Sequence, residues 1–437
     1  MSRSGIRKRS VLRLIGMLAL FGLAIAPRIA NAEGDATLFP VPDYAGDWKS
    51  RPRASGDWGG YRQDLANKGV QLELDFVQTV QGITDGGINR DTDYSGTLDY
   101  VLKLDVQKLG LWPGAFIMVR AETLFGETVA FETGSLMATS IDSILPTPDD
   151  ETYLTDLHFI QFLHPMVGII LGRISTLDGD QNEFAHGRGT DQFLNLGLTI
   201  NPVTLRTVPY SALGAGLIFV PTPDIQVQLT ALDAEATPGD AGFDTLFKDG
   251  TVLALEGRIA TNFFDLPGHQ LLGGSWSNRK FVSLEQDPRI ILNLIPAFAG
   301  MIPLRRVNDS WSVYYNFDQY LWQPDGEPDK GLGIFGRFGY ADEDASPIEW
   351  FVSVGLGAKG IVPGRENDSF GIGYFTVGPS DEFPAFIDID HGTGFEIYYD
   401  IALTPWWHVT PDLQVIESAI KMIDTAVVLG IRTRMEF

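Results

Sequence analysis

The sequence predicts an all-β transmembrane protein, an antiparallel up-and-down β-barrel of about sixteen strands behind a short N-terminal helix. Three observations point there. Apolar and polar residues alternate with a period of two through segment after segment. The segments have about the length, ~9–11 residues, that a tilted strand needs to cross a bilayer. Short and long connections take turns between them, as in outer-membrane barrels.

The chain opens on a removable address. Arg3, Arg7, Lys8, Arg9 and Arg13 form a basic start, Val11–Ala26 is apolar apart from Arg13, and Ala30-Asn31-Ala32 is a small-x-small cleavage site. This is the pattern of a secretory signal peptide over residues 1–32, with an apolar core shorter than the ~20 residues of a spanning helix. Cleavage after Ala32 removes six basic and no acidic residues, leaving 26 Lys+Arg against 56 Asp+Glu and a net charge of −30. So acidic a chain is no partner for nucleic acid, whose backbone demands Lys and Arg. The absence of cysteine excludes disulfides, thiolate catalysis and zinc–thiolate sites.

Residues 33–69 read as a loose polar segment followed by a short helix on the periplasmic side. Asp57 is placed to cap that helix and Gly69 to end it, with Trp58, Tyr61 and Leu65 as one apolar stripe. From Val70 the period drops to two, and residues 70–437 read as the barrel. Val70, Leu72, Leu74 and Phe76 alternate with Gln71, Glu73 and Asp75; at the far end Leu429, Ile431, Thr433, Met435 and Phe437 alternate with Arg432, Arg434 and Glu436. One face is dry and the other wet. Sixteen such segments are expected, at 70–80, 97–107, 114–124, 154–163, 167–173, 213–220, 225–232, 251–263, 268–277, 311–322, 332–341, 349–358, 369–377, 394–403, 407–416 and 425–437. Long connections fall at 81–96, 125–153, 174–212, 233–250, 278–310 and 378–393, with short ones between them, although the contrast fades at 342–348 and 359–368, both modest, and 417–424 is intermediate. Pro113, Pro165, Pro221, Pro223, Pro267, Pro324, Pro328 and Pro405 are expected in the short turns, where they break no ladder. An even strand count puts both termini on the short-turn side.

Four blocks then resemble the OprB-type carbohydrate-selective porins. They are Gly56-Asp57-Trp58-Gly59-Gly60-Tyr61-Arg62 with Lys68-Gly69-Val70; Gly331 to Arg337 with Gly360 to Asp368 and Gly371-Ile372-Gly373; Glu396 to Tyr399 through Thr404-Pro405-Trp406 to Gln414; and Leu429-Gly430-Ile431-Arg432 ending in Phe437. They occur in family order over almost the whole mature chain. The resemblance implies a sixteen-stranded barrel, uptake of glucose or a broader range of sugars, and a C-terminal aromatic read by the barrel-assembly machinery. One departure is that Val415-Ile416-Glu417-Ser418-Ala419 stands where such porins commonly carry Asn-Pro.

If Phe437 faces lipid, the opposite parity faces the lumen, because an Arg or Lys on the lipid side costs roughly 2–4 kcal/mol at the midplane. That logic turns Lys103, Asp105, Arg120, Glu122, Glu256, Arg258, Asp318, Arg337, Glu396, Arg432 and Arg434 inward. Arg173 joins them, although Gly172 blurs its alternation. Arg120, Glu122 and Arg173 are the leading candidates for a selectivity filter. On 311–322 the wet parity carries Tyr314, Tyr320 and Trp322; Tyr314 and Tyr320 suit stacking on sugar rings, whereas Trp322 suits an interfacial girdle. The connection 174–212 is long enough to fold inward, which the sequence does not decide.

Other chemistries lack their context. Gly355-Leu-Gly357-Ala-Lys-Gly360 matches a dinucleotide motif by letters but leads into Pro363-Gly364, not a helix. Asp178-Gly-Asp180-Gln-Asn182 resembles the start of a calcium loop, yet Glu183 stands at the tight-turn position and Gly189 where the bidentate Glu belongs. The six histidines show neither metal spacing nor a nucleophile partner. The expected protein is therefore a porin of the bacterial outer membrane without enzyme activity, cofactor or metal, passing mono- and oligosaccharides. The alternatives are a general or cation-leaning porin and a periplasmic glycan-binding protein. A homo-oligomer, usual for porins of this size, is an open expectation.

Overall fold

The computed structural model describes residues 38–146, 151–186, 188–236, 239, 241–287, 289–290, 293, 301–383 and 388–437, so the signal sequence lies outside the described residues. Among the described residues sixteen antiparallel strands close into one barrel. They are β1 (Val70–Gly87), β2 (Thr92–Asp105), β3 (Ala115–Gly126), β4 (Thr152–His164), β5 (Val167–Ser175) and β6 (Ser211–Thr222). There follow β7 (Ile225–Asp233), β8 (Thr251–Phe263), β9 (Leu266–Ser277), β10 (Ser310–Trp322) and β11 (Gly331–Ala341). The last are β12 (Ile348–Lys359), β13 (Ser369–Pro379), β14 (Gly392–Thr404), β15 (Trp407–Glu417) and β16 (Asp424–Glu436). β16 pairs with β1 from Glu436↔Asp75 to Asp424↔Gly87, which removes the open edge that lipid forbids.

The faces are inverted relative to a water-soluble sandwich. Leu72, Leu171, Leu217, Leu255, Leu356, Leu429 and Ile431 are exposed on the outside, while Arg337 and Glu396 are 0% exposed and Arg432 1%. Only a lipid-facing exterior makes that arrangement favourable. Two-residue turns at 165–166, 223–224, 264–265 and 405–406 share one end with the start of β1 and the end of β16, and the strand ends that flank 127–151, 176–210, 234–250 and 278–309 share the other. The short-turn end is periplasmic.

Two expectations about connections need correcting. The long loop at 81–96 is mostly strand, since Gln81 pairs with Asp93 and Gly82 with Thr92, leaving a turn at 88–91. A hairpin whose outer face loses its apolar residues, with Gly82, Thr84 and Gly96 at outward positions, does not read as membrane strand. Pro221 and Pro267 lie in the ends of β6 and β9 and not in turns.

The first family block forms a clasp. A 3-10 turn, Trp58–Gly60, leads into α1 (Tyr61–Asn67); Asp57 Oδ1 accepts from Gln63 N at 2.8 Å, and Gly69 ends the helix at φ +93°. The Trp58, Tyr61 and Leu65 stripe faces outward, and Arg62 and Ala66 are buried instead. Gly59 and Gly60, at φ +70° and +98°, give the turn that sends Arg62 inward. Its guanidinium lies 4.3 Å from the Tyr44 ring centroid and 5.1 Å from that of Trp58. It donates to Ser55 Oγ (2.9 Å), Leu72 O (2.7 Å) and Phe437 O (2.9 Å), joining the chain's entry, first strand and end. Arg62→Ala leaves those acceptors without this donor, at about 1–3 kcal/mol each. It should lower the thermal midpoint of the SDS-resistant barrel by about 5 °C or more, read as a gel-mobility shift.

Candidate functional site

The connection 176–210 does fold inward. It leaves β5, crosses the lumen, lies against the wall of β10–β16 and returns to β6. The inward charges hold it there. From β3, Arg120 donates to both oxygens of Asp178 (3.0 and 3.3 Å), and Glu122 pairs with Arg188. From β8, Glu256 accepts the backbone N–H of Asp180 at 3.0 Å. From β10, Asn316 donates to Asp180 (2.8 Å) and accepts from Asn182 (2.7 Å), and Asp318 accepts from Glu183 N at 3.1 Å. Arg337 on β11 donates to Asp180 Oδ2 (2.8 Å) and to the carbonyls of Leu198 (3.1 Å), Thr199 (3.0 Å) and Ala185. Glu396 on β14 accepts from Leu194 N (2.6 Å) and Asn195 N (3.0 Å), just ahead of a single helical turn, α2 (Leu196–Thr199). Arg432 on β16 donates to Gly189 O at 2.6 Å.

The apolar side of the loop needs room, and wall glycines provide it. Phe184, Phe193, Leu198 and Val203 are each at most 4% exposed. A Cβ on Gly357 would lie 2.5 Å from that of Phe184, and one on Gly373 would lie 2.7 Å from Leu198 Cδ2. Gly333, Gly357, Gly371 and Gly373 thus reflect close approach of a loop to a strand, whereas Gly355 packs on Phe335 of the next strand and Gly360 serves a turn at φ +66°. Gly373→Val should push the loop off the wall and raise single-channel conductance in planar bilayers by about half or more, because overpacking typically costs 1–3 kcal/mol.

The connection 127–151 buttresses this loop. Ile141 N donates to Leu194 O, and Leu196 N to Ala138 O, both at 3.0 Å. Gln414 Nε2 on β15 reaches Thr139 O at 2.8 Å, and Thr97 donates to Asp142 Oδ2 at 2.8 Å. Burial pushes the Asp142 carboxyl up to about 6, against the pull of Thr97 and Arg188. Loss of bulk water also acts on Asp178, but Arg120 and Arg188 outweigh it and hold that carboxyl below its ordinary range. A raised carboxylate pKa means that the folded loop binds the proton more tightly than the free chain. The Asp142 contribution therefore falls as pH rises from the ordinary 3.8 through about 6. Open-channel current noise should be higher at pH 7.5 than at pH 5, and Asp142→Asn should flatten that difference.

With the loop in place, a cavity of about 640 Å³ remains between it and the wall of β4–β9. One side is aliphatic, with Ile160, Ile170, Ile218 and Val220. The facing side is polar, with Asp178, Gln181, Glu256, Arg258, Gln228 and Tyr314. Tyr314 donates to Glu256 Oε2 at 2.7 Å. Two histidines border the same space, each paired with a carboxylate: His158 with Asp156 (2.6 Å) and His269 with Asp318 (2.7 Å). Such a passage offers apolar contact along one face of a solute and hydrogen bonds along the other.

The structure brings Arg120, Glu122, Asp318, Arg337, Glu396 and Arg432 together as clamps on one loop, and Glu256, Arg258 and Tyr314 as walls of the cavity. Lys103 is paired with Glu73 at 2.8 Å on the neighbouring strand, and Asp105 accepts from Lys108 N at 3.2 Å in a periplasmic turn. Arg434 meets Glu436 (2.6 Å) and Asp75 (3.2 Å) beside a smaller cavity of about 190 Å³. Arg173, 3% exposed, follows Gly172, whose φ is +129° although the strand stays in register with both neighbours. Tyr320 turns inward onto Glu183 at 2.9 Å. Trp322 breaks its parity, because a register shift after Tyr320 leaves it 50% exposed. Missed at the sequence level were Asp178, Asp180 and Arg188 as partners of the wall. Asp178-Gly-Asp180-Gln-Asn182 is the loop's anchor, its carboxylates already matched by Arg120 and Arg337.

Residues 89–437 match the family described as "Carbohydrate-selective porin, OprB family". The chain belongs to that family. Porin B of Pseudomonas aeruginosa is 23% identical over 424 residues, spanning 87% of this chain and 90% of that one. The high-pH structure of Pseudomonas putida OprB superposes with a TM-score of 0.76 at 22% identity, covering 90% of this chain and 100% of the other. Its low-pH structure gives a TM-score of 0.57 at 19% identity, covering 89% and 99%. This porin is accordingly a bacterial outer-membrane channel for sugars, and its sixteen-stranded barrel is shared with those structures.

Proposed function

We propose that solutes cross this porin by passive diffusion through the 640 Å³ cavity, between loop 176–210 and a barrel wall that is largely aliphatic on β4–β6 and polar on β7, β8 and β10. The two-faced lining is the observation that carries the reading. A pyranose has C–H faces that can lie on Ile160, Ile170 and Ile218, and equatorial hydroxyls that can exchange water for Asp178, Glu256, Gln228 and Arg258. The clamped loop fixes that geometry, so no conformational change has to accompany each passage. Arg120 and Glu122 act as positioning residues for the loop, whereas Glu256, Arg258 and Tyr314 face the solute. Passage along this route requires no bond chemistry. The free end of the chain at Phe437, whose N–H donates to Leu74 O at 2.8 Å, suits recognition by the barrel-assembly machinery before closure. A homo-oligomer would form through the outer faces and leave this route unchanged.

The excess of carboxylates along the cavity favours a cation-leaning channel as the second reading, and the two are compatible. Liposome swelling with mono-, di- and trisaccharides beside neutral non-sugar solutes of matched size tests the first. Sugars should enter faster than their size-matched counterparts; equal rates across both series would remove carbohydrate preference from the proposal.

A further inference from the structure

The N-terminal arm ahead of the clasp has its root fixed, and its first described residues lie inside the barrel. Trp406 Nε1 donates to Trp48 O (2.9 Å), Gln63 Nε2 to Pro42 O (3.2 Å), and Tyr44 is 1% exposed beneath Arg62. Further along, the side-chain amide of Gln71, an inward residue only 4% exposed, donates to Phe39 O (3.0 Å) and Pro40 O (3.3 Å). That anchor turns the tip toward the lumen. The Phe39 ring meets the inward Phe116 edge-on at 5.5 Å, and Phe116 meets Phe162 at 6.4 Å. Leu38 then reaches the same cavity that holds Glu256 and Tyr314, at its periplasmic end beside Phe162, Pro223 and Asp224.

We infer that Leu38 and Phe39 form part of the permeation pathway, as the apolar side of its periplasmic exit. The arm tip lies on the floor of the cavity, so a solute leaving it must pass Leu38. An apolar side passes a sugar's C–H face readily and offers a hydrated ion fewer partners for the water it sheds. The arm is thus a specificity-determining element contributed from outside the barrel sequence. This inference rests on the cavity being the route.

The chain contains no cysteine, which allows a direct test. Leu38→Cys, Gln228→Cys in the cavity wall and Trp48→Cys at the arm's root would be reconstituted in planar bilayers. Each is then treated from the periplasmic side with cationic or anionic thiosulfonate reagents, with labelling confirmed by mass spectrometry. Modified Leu38→Cys should lose at least about a third of its conductance, and the two reagents should shift the reversal potential in opposite directions. Trp48→Cys should respond to neither. If Gln228→Cys responds while fully labelled Leu38→Cys does not, the arm is outside the pathway and the inference is overturned while the route stands. If neither responds, the route fails and the inference with it.

Discussion

Arg337→Met is expected to raise single-channel conductance at least twofold and to admit solutes larger than the wild-type limit. Arg337 is 0% exposed and gathers Asp180 with the carbonyls of Ala185, Leu198 and Thr199 from three stretches of one loop. Among the described residues no other ties as many separate stretches of the loop to one strand. Methionine fills the volume near the strand but donates nothing, leaving Asp180 short of its counter-charge. Removing one partner of a buried ion pair typically costs 3–5 kcal/mol. Local opening of a loop needs no more than that. The barrel itself should survive, because the ladder pairs of Arg337 with Asn316 and Ser353 use backbone groups. The variant should keep its SDS-resistant mobility while residues 176–210 become sensitive to protease. Unchanged conductance with an intact loop would show that Glu396 and Arg432 suffice to hold it.

The second large effect concerns charge. Glu256→Gln together with Asp156→Asn should lower the potassium-to-chloride permeability ratio several-fold, read from the reversal potential across a salt gradient. Both side chains border the cavity, and the amides keep oxygen acceptors for Tyr314, the Asp180 N–H and His158. A unit charge about 8 Å from a passing ion, at an effective dielectric of about 40, contributes about 1 kcal/mol, a factor of roughly five. High salt should shrink the difference, since the Debye length falls to about 3 Å at 1 M. A ratio unchanged at low salt would place ion passage elsewhere in the barrel.

The barrel was legible because a membrane sheet imposes a two-residue period wherever it crosses lipid, and residues such as Leu429 against Arg432 cannot exchange faces cheaply. Legibility ended where that constraint ended. The hairpin around 88–91 rises beyond the membrane, so its outer face need not be apolar, and with Gly82, Thr84 and Gly96 there its strands read as loop. Inward parity identified Arg120, Glu122, Arg337 and Glu396 as wall charges but could not show what they meet. Their partners, Asp178, Asp180, Arg188 and the N–H groups of Leu194 and Asn195, lie in an aperiodic loop whose path is set by tertiary contacts. A trace of that path is present in the sequence nonetheless. Gly333, Gly357, Gly371 and Gly373 sit at inward positions of strands where turns are absent, and glycine there marks backbone approached closely by something else. The arm tip at Leu38 left no comparable sign, because a polar segment with Gly and Pro reads alike whether it trails into solvent or folds under a barrel.

The clamped loop seals the β10–β16 side and leaves the β4–β9 side open. Paired cysteines on the two sides test it most directly. Gln228→Cys lines the open cavity, and Ser353→Cys lies 0% exposed behind the loop. Reaction of the first with a thiosulfonate reagent should be fast and should reduce conductance, while the second should stay unreactive until Arg337→Met is added. Equal reaction rates at the two positions in the otherwise unaltered protein would contradict a pathway confined to one side of the loop.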